Sequence, residues 1–323
     1  MRVLVTGIAG FAGPVVAAAL LDAGHEVHGL VRGAGPWPGL ADLPLAPGAL
    51  HHGDLADGRF PDLVRDLAPD ALVHLAALSF VPAAERDPAA AYRTNLGGTL
   101  AVLAAVRSHA PRARVLAVTS GDVYGAVQAA ELPIVEETPL RPVTVYGASK
   151  AAADLTAGQW ARAYGLDVVR ARPFNHTGRG QDPAFVCSAI ARQLALIEAG
   201  RQPPVVRVGN PDPVRDFSDI RDVAAGYVAL LERGRSGTAY NLCAGEGVSI
   251  AEVIAVLRTH ARVAVRVQSD PALRRALDVP RVVGSHARAS ADTGWTPRIP
   301  LEDTLRTVLD DWRARVAADA AAS

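Results

Sequence analysis

The feature that most constrains the fold is a glycine-rich loop after the first apolar run of the chain. Arg2–Thr6 is short and rich in valine, Gly7–Gly13 follows the pattern G-x-x-G-x-x-G, and Val15–Ala23 has helical character. Glycines permit a tight turn and let backbone N–H groups approach a pyrophosphate at a helix N-terminus. This order predicts a dinucleotide site, the alternative being a glycine-rich βα loop that binds no ligand.

Strand-like and helical runs then alternate along the chain. Further apolar runs lie at Ala71–Leu75, Val115–Thr119 and Val168–Ala171, with helical runs between them. Such alternation is typical of βαβ units, so the predicted fold class is α/β, a Rossmann-type doubly wound parallel sheet. Ligands of these sheets bind beyond the carboxyl ends of the strands. The segments predicted to meet there are the glycine loop, Ala76, Ala77, Ser120, Phe174 and Asn175.

The end of the second predicted strand, His25–Val31, bears on the choice of cofactor. An acidic residue there would accept a hydrogen bond from the ribose 2′-hydroxyl of NAD, whereas an arginine suits the 2′-phosphate of NADP. Val31 has no carboxylate, and Arg32 follows it. The sequence therefore favours NADP(H), with NAD(H) possible if Arg32 is an ordinary loop arginine.

A tyrosine and a lysine begin an alanine-rich helical run, Ala148–Ala163. Tyr146 and Lys150 are four residues apart, so both side chains leave the same helical face. A nearby ammonium favours the phenolate and would lower the tyrosine pKa toward the range useful for proton transfer. Ser120 closes the preceding strand-like run and could meet Tyr146 across a cleft. A solvated Tyr/Lys pair on a helix surface is the alternative.

Composition excludes several function classes. Lysine plus arginine and aspartate plus glutamate both number 33, a formal net charge of +0, so we expect neither nucleic acid nor a membrane surface as partner. The cysteines, Cys187 and Cys243, lie far apart, and no metal-type Cys/His spacing exists. The first strand begins at the N-terminus without a signal-peptide pattern, and no apolar run reaches about 18 residues. We therefore expect a soluble cytoplasmic protein without a metal site.

These motifs together resemble those of the extended short-chain dehydrogenases/reductases, the NAD-dependent epimerase/dehydratase family. The resemblance runs from Met1 to about Arg313. The motifs that carry it stand in one order: the glycine loop, Asp54-Leu55, Ala76-Ala77, Asn95, Ser120, Tyr146 with Lys150, and Arg172-Pro173-Phe174-Asn175. Within the family, the stretches 172–186, 208–223 and 278–295 are most similar to the GDP-4-keto-6-deoxy-D-mannose reductases.

The resemblance implies a domain organisation. We expect a dinucleotide-binding domain over 1–173, completed by about 216–243. A smaller α/β region for the nucleotide sugar would comprise 174–215 and 244–318, followed by a frayed tail at 319–323. It also implies a homodimer that pairs the helices near 95–108 and 148–163 of each chain into a four-helix interface.

The resemblance also implies roles for the catalytic and cofactor-binding residues. Tyr146 would protonate the C4 oxygen of the sugar, Lys150 would lower the tyrosine pKa and hold the cofactor ribose, and Ser120 would hydrogen-bond the reacting oxygen. The implied cofactor-binding residues are Gly7, Gly10, Phe11, Ala12, Gly13, Arg32, Asp54, Leu55, Leu75, Ala76, Ala77, Asn95, Thr119, Tyr146, Lys150, Pro173 and Asn175.

For the GDP-linked sugar, the resemblance implies that Asn175, Arg215 and Arg275 grip the diphosphate and Asp278 contacts the base or its ribose. A solvated helix face is the alternative for Arg275, because Arg274 competes for the role. The other implied substrate contacts are Ser79, Asp122, Gln181 and Val186.

Three functions remain open from the sequence. The favoured one is NAD(P)H-dependent reduction of a GDP-4-keto-6-deoxyhexose to a GDP-6-deoxyhexose of the GDP-rhamnose type. The second is a nucleotide-sugar 4-epimerase, or a 4,6-dehydratase, with tightly bound NAD. Gly121-Asp122 argues against a dehydratase, since eliminating water across C5–C6 needs a further well-placed acid and base. The third, a non-catalytic dinucleotide sensor, has no need of Ser120, Tyr146 and Lys150.

Overall fold

The computed structural model describes residues 1–274 and 279–321. Its strands are β1 (Arg2–Thr6), β2 (Glu26–Val31), β3 (Leu50–His52), β4 (Ala71–His74), β5 (Arg114–Val118), β6 (Val168–Pro173), β7 (Asn175–Thr177), β8 (Val205–Val208), β9 (Val214–Arg215), β10 (Phe217–Asp219), β11 (Ala239–Leu242), β12 (Val248–Ser249), β13 (Arg266–Ser269) and β14 (Arg281–Val282). Its helices are α1 (Gly13–Asp22), α2 (Pro38–Ala41), α3 (Phe60–Leu67), α4 (Val81–Arg86), α5 (Pro88–Tyr92), α6 (Gly98–His109), α7 (Val145–Tyr164), α8 (Val186–Glu198), α9 (Ile220–Arg233), α10 (Ile250–Thr259), α11 (Ala287–Thr293) and α12 (Leu301–Ala321).

The central sheet has seven strands in the order β11-β6-β5-β4-β1-β2-β3. Every neighbouring pair is parallel, and β1 pairs with β2 on one side and β4 on the other. The chain therefore reverses its direction of winding at β1, which opens a crevice at the carboxyl ends of the strands. This topology confirms the predicted Rossmann-type doubly wound fold.

Helices cover both faces of the sheet because successive strand residues point to opposite sides. In β1, Val3 and Val5 join one buried core, while Leu4 joins the other. The first core also receives the buried faces of α1 and α9, and the second receives those of α3 and α6. Both faces of each central strand are buried, so successive residues of the strand must be apolar. This explains the valine-rich composition of these strands.

The smaller region has its own core, in which α8, α10 and α12 pack together. Leu194, Leu257 and Leu309 are each fully buried within it. Among the described residues, no helix is both long and apolar enough to cross a bilayer.

The structure departs from the expected domain boundaries at two places. Ala289 and Trp295 lie within the predicted sugar-binding segment 244–318, yet both pack into the first core of the central sheet. Trp295 is fixed there because its indole N–H donates to the backbone oxygen of Asp222 at 2.9 Å. Helix α12 also continues to Ala321, beyond the predicted end at residue 318.

Two local features lie next to the cavity. Strand β3 stops at His52, before Asp54 and Leu55, because it is an edge strand that pairs with β2 alone over three residues. Helices α5 and α6 are joined by a π-helical turn, Arg93–Gly97. Such turns are frequent at functional sites.

A buried ion network fixes α7 on the sheet. Asp154 of α7 is fully buried, and its carboxylate accepts hydrogen bonds from Arg170 at 2.7 Å and from Arg172 at 2.7 and 2.9 Å. The Thr119 hydroxyl, just beyond β5, donates to the same carboxylate at 3.1 Å. Burial alone would raise the pKa of Asp154, but Arg172 and Arg170 hold it below its ordinary value. The network therefore joins α7 to the ends of β5 and β6.

The network predicts a large effect for Asp154→Asn. Two arginines would lose their counter-charge in a buried setting, and breaking such a pair costs about 3–5 kcal/mol of folding free energy. Urea denaturation followed by circular dichroism measures the loss. Asp62→Asn is the matched control, because Asp62 forms an exposed ion pair with Arg65 and should change stability little. Equal stability of the two variants would contradict the prediction.

Candidate active site

A cavity of about 1090 Å³ lies beyond the carboxyl ends of the central strands. It is large enough for a dinucleotide together with a second ligand. The predicted site residues that line it are Gly7, Gly10, Phe11, Ala12, Gly13, Arg32, Asp54, Leu55, Leu75, Ala76, Ala77, Ser79, Thr119, Ser120, Asp122, Tyr146, Lys150, Pro173, Asn175, Gln181 and Arg215.

The glycine loop forms one wall of this cavity and is packed too tightly for side chains. Gly7 has φ +75°, and a Cβ there would lie 2.7 Å from the backbone nitrogen of Ala76. At Gly13 a Cβ would lie 2.1 Å from the Ile8 oxygen. Within the described chain, the N–H groups of Phe11 and Ala12 have no hydrogen-bond acceptor. Open N–H groups at the start of α1 fit the pyrophosphate of a dinucleotide.

Arg32 and Asp54 stand at one end of the cavity, at the carboxyl edge beside β2 and β3. The Arg32 guanidinium lies 3.5 Å from the Asp54 carboxylate, and 77% of the Arg32 side chain is exposed. Both residues line the cavity together with Leu55 and Trp37. An exposed arginine fork at this position fits the 2′-phosphate of NADP, and a bound phosphate would compete with Asp54 for it.

The three predicted catalytic residues meet at the other part of the cavity. Tyr146 lies in the first turn of α7, which begins sharply because the Thr144 hydroxyl accepts from the backbone N–H of Gly147 at 3.0 Å. Lys150 follows one turn later, and its Nζ donates to the backbone oxygen of Val118 at 2.9 Å. Ser120 leaves the end of β5, where its hydroxyl accepts from the backbone N–H of Asp122 at 3.1 Å.

The electrostatics of this group differ from the sequence-based expectation. Burial raises the pKa of Tyr146 well above its ordinary value, the negative charge of Asp122 raises it further, and a hydrogen bond with Ser120 acts in the opposite direction. Burial also lowers the pKa of Lys150 to about 8. The predicted lowering of the tyrosine pKa by Lys150 is therefore wrong for this structure, in which the ammonium is directed to Val118. Tyr146 is held as a neutral phenol, the form that can donate a proton.

Some predicted site residues lie behind the cavity rather than on it. Asn95 is buried, accepts from the Leu78 backbone N–H at 2.8 Å and donates to the Ser149 hydroxyl at 2.8 Å, so it braces the loop after β4 against α7. Val186 begins α8 and does not line the cavity, whereas its neighbour Phe185 does.

Two residues that do line the cavity use their polar groups within the protein. The Thr119 hydroxyl donates to Asp154, as described above. The Gln181 side chain accepts from the Thr177 hydroxyl at 2.6 Å and donates to the His176 backbone oxygen at 2.9 Å. Both side chains are therefore fixed by contacts within the protein while they shape the cavity. The predicted contacts Arg275 and Asp278 lie outside the described residues.

The structure adds cavity residues that the sequence reasoning missed. They include Trp37, Arg93, His176 and Tyr227. Trp37 falls in a Gly/Pro-rich loop, and Arg93 and Tyr227 fall within helical runs, so no motif distinguishes them. His176 stands beside Asn175 in a quoted motif, and its ring stacks on Phe11 with centroids 6.1 Å apart. Its position just after a predicted strand was the only sequence feature that could have identified His176 as a cavity residue.

Comparison with known proteins agrees with this geometry. Residues 4–308 match the family model described as GDP-mannose 4,6 dehydratase. The chain is 42% identical over 315 residues to GDP-6-deoxy-D-mannose reductase of Pseudomonas aeruginosa, with 98% of each chain covered. It is 32% identical over 331 residues to UDP-glucose 4-epimerase of Streptomyces lividans, with 96% of this chain and 95% of that one covered.

A solved structure is similar over the whole chain. The structure of RMD from Pseudomonas aeruginosa complexed with NADPH superimposes with a TM-score of 0.83 at 38% identity, covering 98% of this chain and 100% of that chain. These matches confirm the family resemblance predicted from the motifs. The chain belongs to the GDP-mannose 4,6-dehydratase family of Rossmann-fold proteins.

Proposed function

We propose that this protein is an NADPH-dependent reductase of the C4 ketone of a GDP-4-keto-6-deoxyhexose, giving a GDP-6-deoxyhexose. The observation that carries the proposal is the single cavity shared by the glycine loop, Arg32 and the Ser120, Tyr146 and Lys150 group. The relative with 42% identity is a GDP-6-deoxy-D-mannose reductase, and the superimposed structure holds NADPH. NADP(H) is thus the favoured cofactor, with NAD(H) possible.

The chain's own residues supply binding, orientation and a proton. When bound, NADPH supplies the hydride that adds to C4 and turns the C=O bond into a C–O bond. Tyr146 gives its phenolic proton to the C4 oxygen, which completes the alcohol. Ser120 donates a hydrogen bond to the same oxygen, and Lys150, a cation at neutral pH, stabilises the negative charge that develops at this end of the cavity.

The surroundings of Gly121 favour a reductase over a dehydratase. A Cβ at Gly121 would lie 3.1 Å from the Phe174 ring, so this position has little room for an acid or base side chain. The remaining carboxylate on this short turn is Asp122, whose charge acts on Tyr146. Reduction needs one proton donor, which Tyr146 provides, whereas dehydration needs an additional acid and base.

The substrate would enter from the side of the cavity opposite Arg32. Asn175 and Arg215 line that side, and we assign them to the diphosphate because a guanidinium donates two parallel hydrogen bonds to phosphate oxygens. Segments 174–215 and 244–318, apart from the part around Ala289 and Trp295 that packs into the sheet core, would form the nucleotide-sugar region. Ser79 and Asp122 would be further contacts. Arg275 and Asp278 remain proposals from the sequence resemblance.

Association into a homodimer is the expected quaternary state. Helices α6 and α7 pack together, and both expose apolar side chains, with Leu100 38% and Leu155 57% exposed. Pairing these helices across two chains would cover both residues. The cysteines, Cys187 and Cys243, are buried free thiols, in keeping with a cytoplasmic location.

Tyr146→Phe tests the proposed acid. With GDP-4-keto-6-deoxy-mannose and NADPH, we expect turnover to fall about 10²–10⁴-fold, because a positioned proton donor contributes that much. NADPH affinity, measured by fluorescence titration, should be unchanged. Tyr164→Phe is the control, since Tyr164 lies on the same helix but is 45% exposed and outside the cavity. Normal turnover of Tyr146→Phe would remove Tyr146 from the mechanism.

Arg32→Ala tests the cofactor preference. Loss of a charge-assisted contact with the 2′-phosphate should weaken NADPH binding about tenfold or more and leave NADH binding little changed. Isothermal titration with both cofactors measures the ratio. Arg59→Ala is the control, because Arg59 is similarly exposed but pairs with Asp57 away from the cavity. An equal loss for NADPH and NADH would show that Arg32 does not read the phosphate.

Leu155→Glu tests the expected dimer. A charge in the middle of an apolar helix pair opposes association, so sedimentation velocity should show a monomer where the unaltered protein sediments as a dimer. Val263→Glu introduces the same charge at an exposed apolar residue outside α6 and α7 and should leave the dimer intact. A Leu155→Glu variant that stays dimeric would place the interface elsewhere.

A further inference from the structure

Tyr227 is a cavity residue that takes no part in the proton transfer proposed above. It lies on α9, and its side chain is 1% exposed within the first core of the sheet. The same residue lines the cavity. Its ring therefore belongs to the core, while its outer end reaches the floor of the site.

Among the residues that the structure describes, none hydrogen-bonds the Tyr227 hydroxyl. The other tyrosines embedded in the central core regions are satisfied. Tyr124 donates to the Asn241 side chain at 2.7 Å, and Tyr240 donates to the Asp292 carboxylate at 2.7 Å. The Tyr227 oxygen is not one of the fully enclosed unpartnered polar atoms of the described chain, so the hydroxyl opens into the cavity and is available to a ligand there.

The orientation of α9 directs this hydroxyl toward the cofactor side of the cavity. The helix begins at Ile220, which packs against Gly178 beyond the carboxyl end of β7. Side chains on a helix lean toward its N-terminus, so the Tyr227 phenol is directed toward the carboxyl edge of the sheet. Burial raises the pKa of Tyr227, and the nearby Tyr146 phenol raises it further. The two phenols thus face the same compartment.

We propose that the Tyr227 hydroxyl is a binding contact for the nicotinamide half of the dinucleotide, through the carboxamide. The Tyr227 phenol extends from the core toward the carboxyl edge of the sheet, where the dinucleotide would bind. The sugar would instead enter from the region beyond residue 174. A carboxamide offers both an acceptor oxygen and a donor N–H₂, and either satisfies a phenol. The inference rests on the dinucleotide site of the proposed function and assigns it a residue that no motif identified.

Tyr227→Phe tests this assignment because it deletes one oxygen and keeps the packing of the ring. We expect the Kd for NADPH, from fluorescence titration, to rise about 3- to 10-fold, the ordinary worth of one hydrogen bond. The ligand 2′-phospho-ADP-ribose lacks the nicotinamide. Its Kd, measured by calorimetry, should therefore be the same for Tyr227→Phe and for the unaltered protein. The ligand-free variant should melt no lower than the unaltered protein, because no bond within the described chain is lost.

Tyr240→Phe is the matched control, because Tyr240 lies outside the cavity. It removes the bond to Asp292, so it should lower the melting temperature without changing the Kd for NADPH. An unchanged Kd for NADPH in Tyr227→Phe would overturn the inference. An equal loss of affinity for NADPH and for 2′-phospho-ADP-ribose would also overturn it. A lower melting temperature of ligand-free Tyr227→Phe would also overturn it, by giving the hydroxyl a structural role. Failure of the unaltered protein to bind NADPH would instead contradict the proposed function.

Discussion

The geometry of the proposed catalytic group depends on the buried contact of Asp154 with Arg170 and Arg172. Asp154 stands one turn beyond Lys150 on α7, and its carboxylate holds that helix against the ends of β5 and β6. Ser120 follows β5, while Tyr146 and Lys150 begin α7, so this contact sets the distance between the two halves of the proton-donating group. The buried charges of Asp154, Arg170 and Arg172 thus affect the site by fixing the positions of its side chains.

The same burial decides the protonation of the site. Enclosure raises the pKa of Tyr146 and lowers that of Lys150 to about 8, since both charged forms lose contact with water. A neutral phenol suits a reductase, whose acid must hold its proton until the C4 oxygen becomes basic. A 4-epimerase alternates oxidation with reduction and needs the phenolate as well.

The sequence predicted the frame of the site because each part depends on local pattern. Glycine spacing between a strand and a helix predicted the loop, and four-residue spacing placed Tyr146 and Lys150 on one helical face. Burial and the pairing of distant residues depend on the whole fold, so a local sequence pattern does not predict them. The partners of Asp154 lie 16 to 35 residues away, the direction of the Tyr146 pKa shift follows from enclosure, and Tyr227 reads as an ordinary core residue. Asn95 was predicted as a cofactor contact, although it braces the adjacent loop.

The most direct test of the central claim is NADPH consumption with matched nucleotide sugars. The purified protein is mixed with NADPH and GDP-4-keto-6-deoxy-mannose, and absorbance at the nicotinamide band is followed; the dTDP- and UDP-linked analogues are run in parallel. The account predicts stoichiometric loss of NADPH with the GDP-linked sugar alone. No oxidation with any of the three, with interconversion of C4 epimers and no net use of cofactor, would contradict it and identify a 4-epimerase.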